Sequence, residues 1–225
     1  MKKKFFLFDI DGTLINTKNA GKKALLDAFK KYLGSILIDE DYSFAGKTDT
    51  EIIKNAVFRG KINAGEIPNI IEKIKKEYYA NLEENLIESK NFYVYEGVKD
   101  ILDYFAQNEE YEIALLTGNL EKGAELKLKH GKIFEYFSWG VFGDFSENRN
   151  DLAREAYRII LHKNPNIHPQ DIVIIGDTPN DIICAKTINA YSAVFSGGFS
   201  APDELIKHKP DLIFDEFKEL RKLWH

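Results

Sequence analysis

Four aspartates stand just behind two apolar runs. Asp9 and Asp11 lie in Phe8-Asp9-Ile10-Asp11-Gly12-Thr13, and Asp177 and Asp181 in Gly176-Asp177-Thr178-Pro179-Asn180-Asp181. Asp9 and Asp11 are two residues apart, which puts both carboxylates on one side if a strand continues that far. A third run, Leu115-Leu116, ends in Thr117-Gly118-Asn119. A hydroxyl followed by a glycine and a helix start can hold an anionic oxygen. Taken singly, each segment also reads as an ordinary turn or helix start, because Asp, Asn, Thr and Gly are favoured there. The combination is more specific. If the three runs are neighbouring strands, the four carboxylates share one pocket. Two like charges about 4 Å apart repel by on the order of 4 kcal/mol at an effective dielectric near 20. A hard divalent cation with oxygen ligands removes that cost, and Mg²⁺ suits a site of few carboxylates, waters and a phosphate.

The elements that must position these residues are legible as short apolar runs. Phe5–Ile10, Glu112–Leu116, Trp139–Phe142, Ile172–Ile175 and Ala193–Phe195 read as buried strands, with a weaker run at Leu212–Phe214. Helical patterns lie between most of them. Leu152, Ala156, Ile159 and Ile160 mark one stripe, Ala124 and Leu128 another closed by Gly131, and Ile182, Ala185 and Ile188 a third. This alternation predicts an α/β fold, a Rossmann-like and mainly parallel sheet flanked by helices. From about Asn16 to Phe92 the alternation stops and only helical patterns appear. Thr48 and Glu51 there have capping-box spacing. The expected architecture is a core domain of residues 1–15 and 93–225 with an all-helical cap domain, 16–92, inserted after the first strand.

Composition narrows the classes. The chain has 225 residues, 44 % hydrophobic and 30 % charged, which fits a globular protein with a full core. Its formal charge of −5 argues against a general nucleic-acid binder. The Lys2-Lys3-Lys4 cluster precedes only four apolar residues before Asp9, too few for a signal peptide, and no run is long enough for a membrane helix. The single cysteine, Cys184, allows no intrachain disulfide, so a reducing, cytoplasmic location is expected. The five histidines, His225 among them, show no metal-ligand spacing.

At this point the sequence resembles the haloacid dehalogenase-like hydrolase superfamily, in its phosphoglycolate phosphatase-like branch with a helical cap. Asp9 to Thr13 matches the D-x-D-G-T motif, Leu115 to Thr117 the apolar strand ending in Ser or Thr, and Gly176 to Asp181 the G-D-x-x-x-D motif. The resemblance implies a Mg²⁺-dependent phosphatase acting on a small phosphorylated metabolite, with a monomer as the default state and no nucleic-acid or membrane partner. It makes Asp9 the nucleophile and Asp11 the acid and base. It gives the metal to the Asp9 and Asp177 carboxylates and the Asp11 carbonyl, with Asp181 orienting that shell. It gives the phosphoryl oxygens to Thr117 and to the backbone of Gly118 or Asn119. An acid at position 11 sets the chain apart from dehalogenase members, whose halide leaving group takes no proton.

The sequence departs from the family at the lysine expected between the second and fourth motifs. By spacing that place falls in Glu147-Asn148-Arg149-Asn150-Asp151-Leu152, where Arg149 is the only cation. Arg149 is read as the substitute, since a guanidinium binds oxyanions bidentately; an exposed arginine at a helix start is the equal alternative. Lys127, Lys129 and Lys132 fall too early by the same spacing, and Lys163 too late. Lys47, in Gly46-Lys47-Thr48-Asp49, is a candidate for the non-reacting part of a substrate, against the more frequent reading of a solvated lysine. Two other functions stay open here. One is a phosphotransferase or mutase of the β-phosphoglucomutase type. The other is a phosphate-binding protein without turnover.

Overall fold

The computed structural model describes residues 3–34, 44 and 46–223. Lys2 and His225 lie outside the described residues. Six parallel strands form one sheet in the order β5-β4-β1-β6-β7-β8. They are β1 (Lys4–Phe8), β4 (Tyr111–Leu116), β5 (Gly140–Val141), β6 (Ile172–Gly176), β7 (Tyr191–Phe195) and β8 (Leu212–Phe214). The strands read as unbroken apolar runs because both sheet faces are covered. Phe6 and Phe8 point into one core with α4 (Val98–Ala106) and α5 (Glu121–His130). Phe5 and Leu7 point into a second core with α6 (Arg149–Lys163) and α7 (Pro179–Thr187). Alternate residues of one strand thus serve opposite layers. A last short helix, α8 (Pro202–Lys207), packs Leu205 against Val194 of β7.

Among the described residues three further helices stand between β1 and β4: α1 (Ala20–Leu33), α2 (Asp49–Arg59) and α3 (Ile67–Glu88). They bury a separate cluster that includes Ala24, Ala28, Phe29, Ile53, Ile74, Tyr78 and Leu82. Leu120 joins this cluster from the loop after β4. Where the chain leaves and rejoins the sheet layer, β2 (Ile15–Asn16) and β3 (Tyr93–Val94) pair antiparallel. Two-residue strands carry no readable period, so sequence reasoning missed them. Trp139–Phe142 likewise contracts to the two-residue edge strand Gly140–Val141.

One expectation needs correction. The first strand ends at Phe8, before Ile10. Asp9 still donates its backbone N–H to the Ile175 carbonyl at 2.8 Å, but the chain then turns. Gly12 makes that turn with φ +82°, and a Cβ there would sit 2.3 Å from Asp177 Oδ2. Only glycine meets both conditions. Asp9 and Asp11 are therefore not period-two partners of one strand, and they engage different neighbours.

Candidate active site

Strand order explains the position of the site. β1 has β4 on one side and β6 on the other, all parallel, so Asp9, Thr117 and Asp177 emerge together at the carboxyl edge of the sheet. Such a crevice, where connections diverge on either side of a central strand, is where open α/β sheets hold ligands.

Asp9 is 5 % exposed. Its Oδ2 lies 3.1 Å from Nη2 of Arg149, and the same Nη2 lies 2.5 Å from Asp181 Oδ1. Asn119 donates to Thr117 Oγ1 from both its backbone N–H (3.3 Å) and its side-chain amide (2.9 Å). The Thr117 hydroxyl lies beside Asp9 and favours its charged form. Burial pushes the Asp9 carboxyl up to about 6, against the pull of Arg149 and Thr117 and with a further push from Asp181. Asp177 is also raised well above the usual carboxylate range, first by burial and then by Asp181 and Asp9. It accepts from the Thr13 hydroxyl at 3.1 Å and from the Phe199 N–H at 2.6 Å. Asp181 Oδ2 accepts from the Thr178 hydroxyl (2.7 Å), the Thr178 N–H (2.9 Å) and the Asp177 N–H (3.2 Å). Helix-start chemistry and site chemistry thus coincide in one residue.

Asp9, Asp177 and Asp181 each offer a carboxylate oxygen, and these atoms lie within 4.8 Å of one another. Three buried carboxylates with a single guanidinium between them form an all-oxygen donor set with uncompensated negative charge. That set fits a hard divalent cation. The carboxylate of Asp11 is not part of this cluster. Its Oδ2 accepts from Lys127 Nζ at 2.6 Å and from the Asn119 amide at 2.9 Å. Three carboxylates, rather than four, therefore share the metal-type pocket.

Lys127 is the residue that sequence spacing excluded and the fold includes. It projects from α5, is buried, and also donates to Asn119 Oδ1 at 2.5 Å. The missed signal was helical geometry. Lys127 stands with Ala124 and Leu128 on the buried stripe of α5, where an unpaired lysine is costly. Arg149 is buried rather than exposed, and opens α6 as the sequence suggested.

The helical layer closes over these groups and leaves a cavity of about 290 Å³. Asp9, Asp11, Lys47, Asn119, Lys127 and Arg149 line it from the polar side, and Leu25, Ile52 and Tyr78 from the apolar side. Hydrogen bonds dock the start of α2 on the core. The Asp49 N–H donates to Gly118 O (2.7 Å), Thr48 Oγ1 to Glu147 O (3.0 Å), Thr50 Oγ1 to Gly143 O (2.6 Å), and the Asn180 amide to Gly46 O (2.7 Å). Gly118 permits this contact, because a Cβ there would sit 2.3 Å from the Lys47 carbonyl. Asp49 accepts from the Leu120 N–H (3.0 Å) and the Tyr78 hydroxyl (3.4 Å). Burial raises its carboxyl to about 6, against the opposing charge of Lys127. Lys47 is half-buried and paired with Glu51 at 2.9 Å. Cys184 is buried in the core under α7, with its thiol pushed up to about 12 chiefly by burial, which leaves no thiolate for chemistry.

The chain is similar to known proteins along nearly its whole length. Residues 6–195 match the family described as haloacid dehalogenase-like hydrolase. The chain is 26 % identical over 221 residues to phosphoglycolate phosphatase 1 of Pseudomonas aeruginosa, covering 95 % of this chain and 77 % of that protein. It is 24 % identical over 218 residues to pyrophosphatase PpaX of Bacillus cereus, covering 95 % and 93 %. Among solved structures, a predicted phosphoglycolate phosphatase from Haemophilus somnus has a TM-score of 0.72 at 21 % identity, covering 100 % of this chain and 99 % of that one. CbbY from Rhodobacter sphaeroides in complex with phosphate has a TM-score of 0.69 at 20 % identity, covering 97 % and 96 %. These likenesses join the motifs and the sheet topology, and the chain belongs to the haloacid dehalogenase-like hydrolase family.

Proposed function

We propose that the chain is a Mg²⁺-dependent phosphatase that hydrolyses a small phosphomonoester through an aspartyl-phosphate at Asp9. One observation carries this reading. Asp9 lies buried at the end of the central strand, between the Arg149 guanidinium and the Thr117 hydroxyl, with Asp177 and Asp181 beside it. Phosphatase-named relatives support it.

In the first half-reaction an Asp9 oxygen bonds to phosphorus and the bond to the leaving oxygen breaks. Asp11 gives that oxygen a proton. In the second, Asp11 takes a proton from water as the water oxygen bonds to phosphorus and the Asp9–phosphorus bond breaks. Thr117, the backbone of Gly118 and Asn119, and Arg149 hold the phosphoryl oxygens. Arg149 Nε is buried and has no hydrogen-bond partner among the described residues, which leaves a donor for an anionic oxygen. Asp9, Asp177 and the Asp11 carbonyl would hold Mg²⁺, which supplies charge neutralisation and a template for the phosphoryl group. Asp181, held by Arg149 and Thr178, orients that set. Residues 16–92 act as a cap that excludes water, and Lys47 on its inner wall contacts the non-reacting part of the substrate.

Phosphate release from a panel of phosphomonoesters and pyrophosphate, with Mg²⁺ and with chelator, tests the reading. Metal-dependent release that disappears in Asp9→Asn supports it. Release that persists in pure Asp9→Asn protein, or no release from any compound, overturns it.

A further inference from the structure

Lys127 has no task in the reaction just described, yet it is among the most constrained charged side chains of the cavity wall. Its side chain is 5 % exposed. Lys127, Asp11 and Asn119 form a closed triangle of hydrogen bonds. Nζ donates to Asp11 Oδ2 (2.6 Å) and to Asn119 Oδ1 (2.5 Å), and the Asn119 amide donates to the same Asp11 Oδ2 (2.9 Å). Among the described residues both hydrogen bonds to the Asp11 carboxylate thus end on Oδ2, and none reaches Oδ1.

A second observation comes from the opposite wall. Gly21 lies near the start of α1, and a Cβ there would stand 3.2 Å from Lys127 Nζ and 3.3 Å from Cε. Glycine inside a helix weakens the helix. At this position it makes room for the lysine head group. Asp49 at the start of α2 adds an opposing charge to the same ammonium. The head group is therefore fixed from the core by Asp11 and Asn119, and accommodated from the helical layer by Gly21 and Asp49.

We propose that Lys127 is a positioning residue for proton transfer to the leaving group. With Asn119 it locks the Asp11 carboxylate in one rotamer, so that Oδ1 faces the leaving oxygen when phosphorus is attacked. Lys127 keeps its own proton throughout. The proton that reaches the leaving oxygen comes from Asp11, and water returns it in the second half-reaction. The proposal rests on Asp11 being the acid and base.

The test compares two substrates with opposite needs. An aryl phosphate such as 4-nitrophenyl phosphate expels a stable anion and requires no proton. The best alkyl phosphate from the panel above expels an alkoxide and requires one. The quantity read is kcat/KM, which reports the first half-reaction. Asp11→Asn is expected to lower alkyl turnover about 10²-fold more than aryl turnover. Lys127→Met should show the same pattern more weakly, roughly 10–100-fold on the alkyl and under about threefold on the aryl substrate. Gly21→Ala, which crowds the ammonium without removing it, should fall between wild type and Lys127→Met in the same ratio. A Lys127→Met loss that is equal for both substrates, or absent for both, overturns the positioning role. If Asp11→Asn itself treats the two substrates alike, the acid assignment is at fault, and the two failures are thereby told apart.

Discussion

Replacing Arg149 by methionine removes one buried cation and leaves its two carboxylate partners in place. Nη2 lies 3.1 Å from Asp9 and 2.5 Å from Asp181. At 3.1 Å and an effective dielectric near 20, one such pair amounts to about 5 kcal/mol of attraction. Breaking a buried pair on one side costs about 3–5 kcal/mol, because a charge is left uncompensated. For a chain of this length each kcal/mol moves the melting temperature by about 2–4 °C. Arg149→Met should therefore melt roughly 6–20 °C lower than wild type in chelator. On the proposed reading Mg²⁺ would neutralise the same carboxylates, so it should raise the melting temperature of the variant more than that of wild type. Turnover should fall about 10²–10³-fold, the usual loss when one preorganised donor to a developing oxyanion is removed. Arg149→Lys should recover part of the stability and less of the rate, since an ammonium lacks the planar fork. Differential scanning fluorimetry with and without Mg²⁺, alongside phosphate release, measures all of this. A variant that melts within about 2 °C of wild type in chelator would refute the electrostatic argument. Unchanged turnover in both variants would refute the site role.

Other consequences are more local. Asp49 titrates near 6 in the folded chain because burial disfavours its charge. A carboxyl raised on folding contributes stability that is complete below about pH 4 and is lost as pH rises through about 6. Asp49→Asn, which can still accept from Leu120, should thus be more stable than wild type at pH 8 by on the order of 3 kcal/mol and equal to it near pH 4. A gap that does not narrow toward acid contradicts the shift. Gly118→Ala must displace the Lys47 carbonyl that docks α2; kcat/KM should fall about 10²-fold, as for other ångström-scale misplacements. A variant as active as wild type would show that the docked position of α2 is not the working one. Saturating Mg²⁺ at 100 times its dissociation constant should stabilise wild type by about 2.7 kcal/mol, and Asp177→Asn should lose most of that gain. Equal metal stabilisation in both would remove Asp177 from the ion's ligands.

The elements that were legible in the sequence are those with a strong period. β1, β4, β6 and β7 are buried on both faces and announce themselves as apolar runs, while α6 shows a clean stripe. The carboxyl-edge residues follow from that pattern, because parallel strands place their ends together. Arg149 was singled out by spacing and by its place before a stripe, with an exposed arginine as the equal alternative, and it is buried beside Asp9 and Asp181. Lys127 was not singled out, because its place depends on α5 packing against α3 and reaching Asp11 and Gly21, contacts between segments far apart in sequence. The three-carboxylate grouping was also hidden. It depends on the turn at Gly12 and on Lys127 and Asn119 drawing Asp11 away, neither of which a strand period encodes. The contact between Gly118 and Lys47 lies at the same level, since glycine after a strand reads first as a turn.

The central claim is a covalent phosphoryl group on Asp9, and trapping it is the most direct measurement. Substrate and Mg²⁺ are mixed with the enzyme, quenched in acid within one turnover, and the digested protein is examined by mass spectrometry. The account predicts one phosphoryl group on the peptide that contains Asp9, lost on treatment with hydroxylamine and absent from Asp9→Asn. Phosphate released in full within one turnover with no labelled peptide at any quench time, or a label on another residue, would contradict it.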